Sequence, residues 1–310
     1  MNSKTFCVQP WLSKEYDFAR TSPCCWLAED YDLDIVKQDL LNGVASPACK
    51  RCWISEAQGL KSRRQQQNML ADTLYDLSVE TIQDTIETLE PSIYQIATST
   101  KCNGMCIMCS HDFSSKWQSV TKKPGPKTVS DEFIDALPYD TIKYLELVGG
   151  EPLLEKKNLT ILDRLNADCT VSIVTNGTVE MSPTMIRTLD KFKRLIICIS
   201  IDGIGAVFDY HRWPLQWSSV VKNLEIFKTI TEDISISYTR TNVSVVYEEE
   251  TFAWFEQQGL PYIVNNVEYP AHLNPNNPID FEKLDYWDNI KGIKRSDYLN
   301  EETLRASLVA

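Results

Sequence analysis

The sequence predicts an α/β protein built on a parallel sheet, preceded by a smaller cysteine-rich segment. Two observations predict the sheet. From Ile93 onward, about six strand–helix repeats follow one another, and the polar motifs of this region stand at the carboxyl ends of predicted strands. A third observation sets the N-terminal segment apart: eight of the ten cysteines lie in the first 109 residues, in two groups. Parallel strands connect through right-handed crossovers, so their carboxyl ends lie at one edge of the sheet. In such folds ligands bind at that edge, and we expect the chemistry there.

Apolar strands and helices with capping residues make up the repeats. The predicted strands are 93–99, 144–148, 170–174, 194–203 and the segments "ISISYT", "VSVV" and "PYIVNNV". The predicted helices are 129–137, "LTILDRLN", "SPTMIRTLDKF", "SSVVKNLEIFKTI" and "TFAWFEQQ". Ser130 and Ser182 are the expected N-caps of the first and third of these helices. The nearly continuous apolar run of 194–203 predicts a strand that is covered on both faces.

Four segments are expected along the chain. Residues 1–56 form a small module, and residues 57–91 form a helical linker that ends at Pro91. Residues 92–280 form the sheet domain, and residues 281–310 form a C-terminal helical extension.

Composition limits the classes of function. A net charge of -12 argues against a nucleic-acid partner, because nucleic-acid binders usually show a basic footprint. No stretch approaches the roughly twenty apolar residues that a membrane helix requires. The N-terminus lacks the apolar core of a signal peptide, so we expect residence in the cytoplasm. Ten cysteines in a cytosolic chain indicate metal or redox chemistry rather than disulfides.

The segment "KCNGMCIMCS" (101–110) contains Cys102, Cys106 and Cys109 and no fourth cysteine. A structural zinc site takes four protein ligands, and a cubane iron–sulfur cluster normally takes four thiolates. Three thiolates leave one metal corner open to another ligand. Three cysteines in a polar loop are also poor candidates for core residues, so this spacing predicts a metal site that binds a ligand.

The segment "GGEP" (149–152) follows the predicted strand 144–148. Its two glycines allow the backbone to approach a ligand closely, and the Glu151 carboxylate can accept hydrogen bonds from an ammonium group. A Gly-Gly-Glu turn alone is commonly an ordinary turn. After a strand that follows a three-cysteine loop, it predicts a ligand site.

Together these residues resemble the radical S-adenosylmethionine (radical SAM) superfamily. In that family, a Cys-x3-Cys-x2-Cys loop holds a [4Fe-4S] cluster, and the methionine moiety of S-adenosylmethionine occupies the open iron. The resemblance implies a partial (β/α)6 TIM-like barrel, with Cys102, Cys106 and Cys109 as the cluster ligands.

The resemblance also implies which residues contact S-adenosylmethionine. These are Met108, Gly149, Gly150, Glu151, Ser200, Asp202 and Arg212. The "GGE" residues would hold the methionine amino group, and Ser200 and Asp202 would meet the ribose or the carboxylate. Met108 replaces the aromatic residue that the family usually carries before the last cysteine, and its thioether would pack beside adenine. Arg212 would clamp a carboxylate of the cofactor or the substrate.

The first cysteine group resembles the twitch and SPASM segments of one branch of the superfamily, which bind an auxiliary [4Fe-4S] cluster. The implied ligands are Cys7, Cys24 or Cys25, Cys49 and Cys52. A zinc-ribbon-like structural site is the rival interpretation, because Cys-x2-Cys pairs are common zinc elbows. Cys169 and Cys198 lie in or beside apolar strands and are expected to be core thiols.

The resemblance implies an enzyme that reductively cleaves S-adenosylmethionine to methionine and a 5′-deoxyadenosyl radical, which abstracts hydrogen from a substrate carbon. The implied partners are a reductant such as flavodoxin or ferredoxin, and a substrate that is a peptide, a protein or an amino-acid-like small molecule. Besides Arg212, the candidate substrate contacts are His111, Asp112, Tyr210, His211 and Arg240. The sequence does not choose among epimerisation, cross-linking, dehydrogenation and isomerisation.

Two alternatives stay open. The chain could be a non-catalytic binding or electron-transfer protein stabilised by zinc or by clusters. It could also be a radical SAM enzyme that modifies nucleotides or nucleic acids, although the net charge of -12 disfavours duplex binding.

Overall fold

The computed structural model describes residues 4–18, 20–28, 30–59 and 61–306. Within these ranges, eight strands form one sheet: β1 (Ser13–Asp17), β2 (Arg20–Ser22), β3 (Ile93–Ala97), β4 (Tyr144–Val148), β5 (Thr170–Thr175), β6 (Arg194–Ser200), β7 (Asp233–Arg240) and β8 (Tyr262–Asn266). The described α-helices are α1 (Gln9–Leu12), α2 (Leu33–Leu41), α3 (Lys50–Ala57), α4 (Arg63–Tyr75), α5 (Val79–Thr85), α6 (Ser115–Thr121), α7 (Asp131–Asp135), α8 (Lys156–Arg164), α9 (Pro183–Asp190), α10 (Gly205–His211), α11 (Trp217–Phe227), α12 (Glu248–Gln257), α13 (Phe281–Lys291) and α14 (Glu301–Ala306).

The sheet confirms the predicted α/β class. Its strand order is β2-β1-β3-β4-β5-β6-β7-β8, and every neighbouring pair is parallel except β1 with β2. The six strands β3–β8 follow one another in sequence order, as a partial (β/α)6 barrel requires. The carboxyl ends of β3–β8 therefore lie along one edge, and the loops after them are brought together there.

Alternation along β4, β6 and β7 separates a buried face from a half-buried one. In β6, Leu195, Ile197 and Ile199 are buried and belong to one apolar cluster with residues of helices that include α8, α9 and α11. The residues between them are only partly buried, so the prediction that both faces of 194–203 are covered is wrong. Ser200, on the second face, borders a cavity of about 460 Å³. That face is therefore the side of the sheet on which the candidate site lies.

The N-terminal residues contribute to the same sheet. β1 pairs in parallel with β3, with Tyr16 opposite Ile96, and β2 extends the edge as a short antiparallel strand. A separate apolar cluster joins α1 and α2 to the linker helices α4 and α5. The predicted boundaries 1–56, 57–91, 92–280 and 281–310 stay predictions, but the first strand of the chain belongs to the sheet of the third segment.

Helix caps explain several predicted helix starts. The Ser130 and Ser182 side chains each accept a hydrogen bond from a backbone N–H in the first turn of α7 and α9, as predicted. Ser62 and Gln65 form a reciprocal capping box at the start of α4 in the linker. The predicted linker is thus helical, as the two helices α4 and α5 followed by a short 3-10 turn.

The predicted strand "VSVV" is wrong. Residues Ser244–Tyr247 form a 3-10 helix that leads into α12. The cause is local: the Thr241 N–H donates to Ser244 Oγ at 2.8 Å, and the Ser244 N–H donates to Thr241 Oγ1 at 2.9 Å. These reciprocal bonds close a turn, which outweighs the β-propensity of the valines.

The C-terminal extension packs behind the cysteine loop. Leu284 and Trp287 of α13 are buried in one apolar cluster with Met105 and Ile107 of that loop. The Trp287 ring also lies 4.9 Å from the Trp117 ring of α6. The extension therefore belongs to the support of the candidate site. Every helix within the described ranges is too short or too polar to cross a lipid bilayer.

Candidate functional site

Cys102, Cys106 and Cys109 surround one end of a cavity of about 460 Å³. They lie in the loop between β3 and α6. Other walls of the cavity come from the carboxyl ends of β4, β5 and β6. Its lining residues are Cys102, Gly104, Cys106, Met108, Cys109, Ser110, Phe113, Val148, Gly149, Gly150, Val174, Thr175, Asn176, Ser200, Arg212 and Tyr269. The structure therefore brings the predicted residues Met108, Gly149, Gly150, Ser200 and Arg212 to the triad.

The start of α6 holds one side of the cysteine loop. Ser114 Oγ donates to the Gly104 carbonyl at 2.8 Å, and the indole N–H of Trp117 donates to the Cys106 carbonyl at 3.0 Å. The Cys102 N–H donates to Ser115 Oγ at 3.1 Å. These bonds satisfy the polar groups of a loop that would otherwise leave them unpaired.

The segment after α10 holds the other side. The Met105 N–H donates to the Trp213 carbonyl at 2.7 Å, and the Ile107 N–H donates to the His211 carbonyl at 2.8 Å. The two bonds fix the backbone immediately before and after Cys106. Sequence reasoning missed this support, because the two segments are about a hundred residues apart and no local pattern joins them.

The two glycines of "GGEP" allow two strand-end loops to touch. A Cβ at Gly150 would lie 2.4 Å from the Lys101 carbonyl oxygen, and a Cβ at Gly149 would lie 2.9 Å from the Ser99 carbonyl oxygen. Gly149 also has a φ of +119°, which favours glycine. The Gly150 N–H donates to the Ser99 carbonyl at 3.0 Å. The glycines thus place the end of β4 against the residues that lead into Cys102.

Glu151 joins the "GGEP" turn to the turn after β5. Its Oε1 accepts from Thr175 Oγ1 at 2.7 Å and from the Leu153 N–H at 3.1 Å, and its Oε2 accepts from the Asn176 N–H at 2.7 Å. Burial raises the pKa of this carboxyl, although these hydrogen bonds oppose the rise. The Asn176 amide in turn donates to Asn103 Oδ1 at 2.8 Å. Glu151 therefore positions the loop; its predicted contact with a methionine amino group stays a prediction.

Asp202 and Arg212 form a buried ion pair beside the triad. The Arg212 Nε lies 2.7 Å from Asp202 Oδ2, and the side chains are 9% and 0% exposed. Asp202 Oδ1 accepts from the Thr239 N–H at 3.0 Å. The Arg212 Nη1 donates to Cys106 Sγ at 4.0 Å. Arg212 thus faces a triad thiol as well as the cavity, while Asp202 lies behind it.

Burial raises the pKa of all three triad thiols, to about 11 for Cys109. The positive charge of Arg212 opposes this rise at each of them. A low-polarity site disfavours thiolates unless a positive charge compensates them. A bound metal supplies such a charge.

Two of the candidate substrate contacts are wrong. Tyr210 and His211 are fully buried, because Tyr210 packs in the apolar cluster with α13 and the His211 ring contacts the Val207 carbonyl and Thr241 Oγ1. Arg240 pairs with Glu248. His111 and Asp112 lie near each other just after the loop, partly exposed. The roles of these last three residues stay predictions.

Four cysteines of the N-terminal region meet at a second, much smaller cavity of about 20 Å³. Its lining residues are Cys7, Gln9, Pro10, Pro23, Cys24, Trp26, Leu27, Cys49, Cys52 and Arg64. Cys25 is outside this set: it is exposed and lies beside Glu15 and Arg63. The structure therefore favours Cys24 over Cys25 as the fourth member of the group.

Arg64 of α4 backs the second site. Its Nε and Nη2 donate to the two carboxylate oxygens of Glu56 at 3.0 and 2.8 Å, and its Nη1 donates to the Phe6 carbonyl at 2.8 Å. The guanidinium lies 5.2 Å from the ring centre of Trp53. Burial raises the pKa of the neighbouring thiols, and the charge of Arg64 opposes this rise at Cys49 and Cys52.

Neither cysteine site converges on a point. Among the described residues, no three His, Cys, Asp or Glu side chains come close enough together to bind a single metal ion.

The remaining cysteines differ from each other: Cys169 is buried, as predicted for a core thiol, whereas Cys198 is partly exposed on the half-buried face of the sheet.

Comparison with known proteins finds distant structural likeness. No family model matches the chain, and no curated protein matches it. A solved structure of anSMEcpe with bound AdoMet is 19% identical over 66% of this chain and 62% of its own, with a TM-score of 0.46. Streptococcus suis SuiB bound to S-adenosylmethionine is 14% identical over 68% of this chain and 47% of its own, with a TM-score of 0.43. SuiB bound to precursor peptide SuiA is 13% identical over 82% of this chain and 62% of its own, with a TM-score of 0.47. The match thus spans less than two thirds of the length of each of these proteins.

Proposed function

We propose that the protein is a radical SAM enzyme whose catalytic [4Fe-4S] cluster is held by Cys102, Cys106 and Cys109. The observation that carries the proposal is the open cavity of about 460 Å³ that the three cysteines share with the ends of β4, β5 and β6. Three thiols with room beside them suit a cluster that binds a small molecule at its remaining iron.

The donor set of the triad fits a cluster better than a single ion. Cysteines that hold a cubane each bind a different iron, so they need not converge on one point. A zinc ion requires four ligands, with sulfur at about 2.3 Å. The triad offers three thiols, and the neighbouring cavity residues Ser110, Phe113 and Met108 are not zinc ligands.

Cys102, Cys106 and Cys109 would hold the cluster, which would supply the electron for reductive cleavage of bound S-adenosylmethionine and so for hydrogen abstraction from a substrate carbon. The chain's own part is to bind and orient. The backbone of Gly149 and Gly150 reaches the cavity wall because neither residue has a side chain, and Ser200 offers a hydroxyl there. Met108 lines the same cavity and would pack beside adenine. These contacts would fix the cleaved bond relative to the substrate.

The second site would hold an auxiliary [4Fe-4S] cluster on Cys7, Cys24, Cys49 and Cys52. All four line one cavity, and burial raises the pKa of Cys7, with smaller contributions in the same direction from Cys24, Cys49 and Cys52. Four thiolates are the usual ligand set of a cubane cluster. They are also a common set for structural zinc, so metal analysis of this site decides between the two.

The substrate would reach the triad along the half-buried face of the sheet. Side chains on this face, such as Cys198 and Ser200 of β6, are only partly buried, and the exposed ring of Tyr269 stands at the cavity. A peptide or an amino-acid-like molecule would fit the resemblance to the twitch and SPASM branch. The electron would come from a small reductant such as flavodoxin or ferredoxin.

Iron content and S-adenosylmethionine cleavage test the proposal. After anaerobic reconstitution, we expect about eight irons in the wild type and about four in the Cys102→Ala/Cys106→Ala/Cys109→Ala variant. With dithionite and S-adenosylmethionine, only the wild type should form 5′-deoxyadenosine. Cys169→Ala, which changes a buried cysteine outside both sites, should behave as the wild type. Zinc in place of iron, with S-adenosylmethionine left intact, would contradict the proposal and favour a binding protein.

A further inference from the structure

Arg212 brings a formal positive charge to the triad. Its Nη1 donates to Cys106 Sγ at 4.0 Å, while its Nε lies 2.7 Å from Asp202 Oδ2. The side chains of Arg212 and Asp202 are both at least nine-tenths buried. An ion pair at this depth is weakly screened by water, so its charges act strongly on a neighbouring sulfur.

The backbone keeps this guanidinium in register with the cysteine loop. The carbonyls of His211 and Trp213, on either side of Arg212, accept from the N–H groups of Ile107 and Met105, on either side of Cys106. The two tripeptides are thus bonded to each other around the Arg212–Cys106 contact. Asp202 is fixed independently, by the Thr239 N–H at 3.0 Å.

We propose that the Arg212–Asp202 pair sets the reduction potential of the cluster held by the triad, with Arg212 raising it and Asp202 lowering it. The inference rests on the proposed function. Reduction adds one negative charge to the cluster, so a fixed cation at a ligand sulfur stabilises the reduced form and a fixed anion destabilises it. Arg212 is a positioning residue in this role, since it acts through Cys106. This role differs from the predicted clamp on a cofactor carboxylate.

The two partners must therefore shift the potential in opposite directions. We would reconstitute the full chain and titrate it potentiometrically without S-adenosylmethionine, following the reduced clusters by electron paramagnetic resonance. The triple alanine variant of the triad assigns the signals, because it retains only the auxiliary cluster. That cluster is the internal standard, since Arg212 does not line its site.

We expect Arg212→Gln to lower the reduction potential of the triad cluster by at least about 59 mV, which for one electron is a tenfold change in the reduction equilibrium. Arg212→Lys keeps the positive charge and should lower the triad potential by less than Arg212→Gln does. Asp202→Asn keeps an oxygen that can accept from the Thr239 N–H, and it should raise the triad potential. The auxiliary potential should stay constant in all three variants. If Arg212→Gln holds no triad iron, the opposite-direction test is made with Arg212→Lys and Asp202→Asn.

A triad cluster whose potential is unchanged, or shifts in the same direction in the Arg212 and Asp202 variants, would overturn the inference and leave the proposed function standing. If the potentials of both clusters shift together, the substitutions act through a general loss of structure, and this result would also overturn the inference. If the wild type holds no cluster at the triad, the proposed function fails first and the inference fails with it.

Discussion

The two cysteine sites differ in how much space they leave. Three cysteines of a single loop border a cavity of about 460 Å³ whose walls come from several strand ends. Four cysteines from three separate segments border a cavity of about 20 Å³ beside α4. The first arrangement leaves room for a ligand beside the thiols, and the second encloses the thiols with protein. Under the proposed function, the open site would be the catalytic one, and the enclosed site would serve support or electron transfer.

The two sites nevertheless share one structural feature. Each has a buried arginine with a carboxylate partner: Arg212 with Asp202 at the triad, and Arg64 with Glu56 at the second site. A fixed positive charge compensates part of the negative charge of neighbouring thiolates in a low-polarity region. At the second site, Arg64 also donates to the Phe6 carbonyl, next to Cys7. There the arginine has a clear structural role in addition to its charge.

The largest expected effect separates two adjacent cysteines. Cys24 lines the enclosed cavity, whereas Cys25 is exposed and outside it. Cys24→Ala should lose about half of the iron, that is, one of two four-iron clusters. Cys25→Ala should keep all of it. Iron and sulfide analysis of the reconstituted variants measures the difference, and the reverse result would assign Cys25 to the site.

Removing the arginine of the enclosed site should cost the most stability. Arg64→Met leaves Glu56 and the Phe6 carbonyl without their partner, so we expect the free energy of unfolding to fall by about 3–5 kcal/mol. Chemical denaturation measures this loss. The matched control is Arg187→Met at an exposed position of α9, which should change it by less than about 0.5 kcal/mol. Equal effects of the two substitutions would show that the buried pair has no special role.

A methyl group at the open site should affect chemistry more than stability. In Gly150→Ala the new Cβ would meet the Lys101 carbonyl oxygen at 2.4 Å, so the cysteine loop must shift, at a cost of about 1–3 kcal/mol. Gly43→Ala has open space but a φ of +77°, and it should cost about 1–2 kcal/mol. Only Gly150→Ala should reduce 5′-deoxyadenosine formation. A parallel loss of activity in Gly43→Ala would mean that stability alone controls the reaction.

The smallest expected effect concerns a contact between the two regions. Arg51, which lies between Cys49 and Cys52, donates to Glu268 at 2.8 Å, next to the cavity-lining Tyr269. The side chains are 54% and 76% exposed. Glu268→Gln should lower the free energy of unfolding by about 0.2–1 kcal/mol at low salt, and by nothing measurable near 1 M salt. A larger loss that persists at high salt would indicate a firm junction between the regions.

Local patterns predicted most of the sheet. The apolar content of segments such as "YLELV" and the nearly continuous apolar run of "RLIICIS" are properties of a few consecutive residues, and both segments form strands. The same reasoning misassigned "VSVV" (243–246), where hydrogen bonds between Thr241 and Ser244 decide the backbone conformation. It also missed β1 and β2, whose short polar sequences carry no strand signal and are fixed by pairing within the sheet.

The site was predictable only in part. Cys102, Cys106 and Cys109 lie in one loop, and strand order brings the "GGEP" turn and the turn after β5 to it. The contact of Arg212 with Cys106 depends on the docking of the segment after α10, and the support from α13 depends on packing across the chain. The choice between Cys24 and Cys25 depends on the direction in which each side chain points, which no spacing rule determines.

The difference between an open and an enclosed site is tested most directly by adding S-adenosylmethionine to the reduced, reconstituted protein and recording electron paramagnetic resonance spectra. In the proposed function, S-adenosylmethionine would bind at the open iron of the triad cluster, so we expect the signal of that cluster to change and the signal of the second cluster to stay the same. The triple alanine variant of the triad should show no response. An unchanged wild-type spectrum, or a response that persists in that variant, would contradict the account.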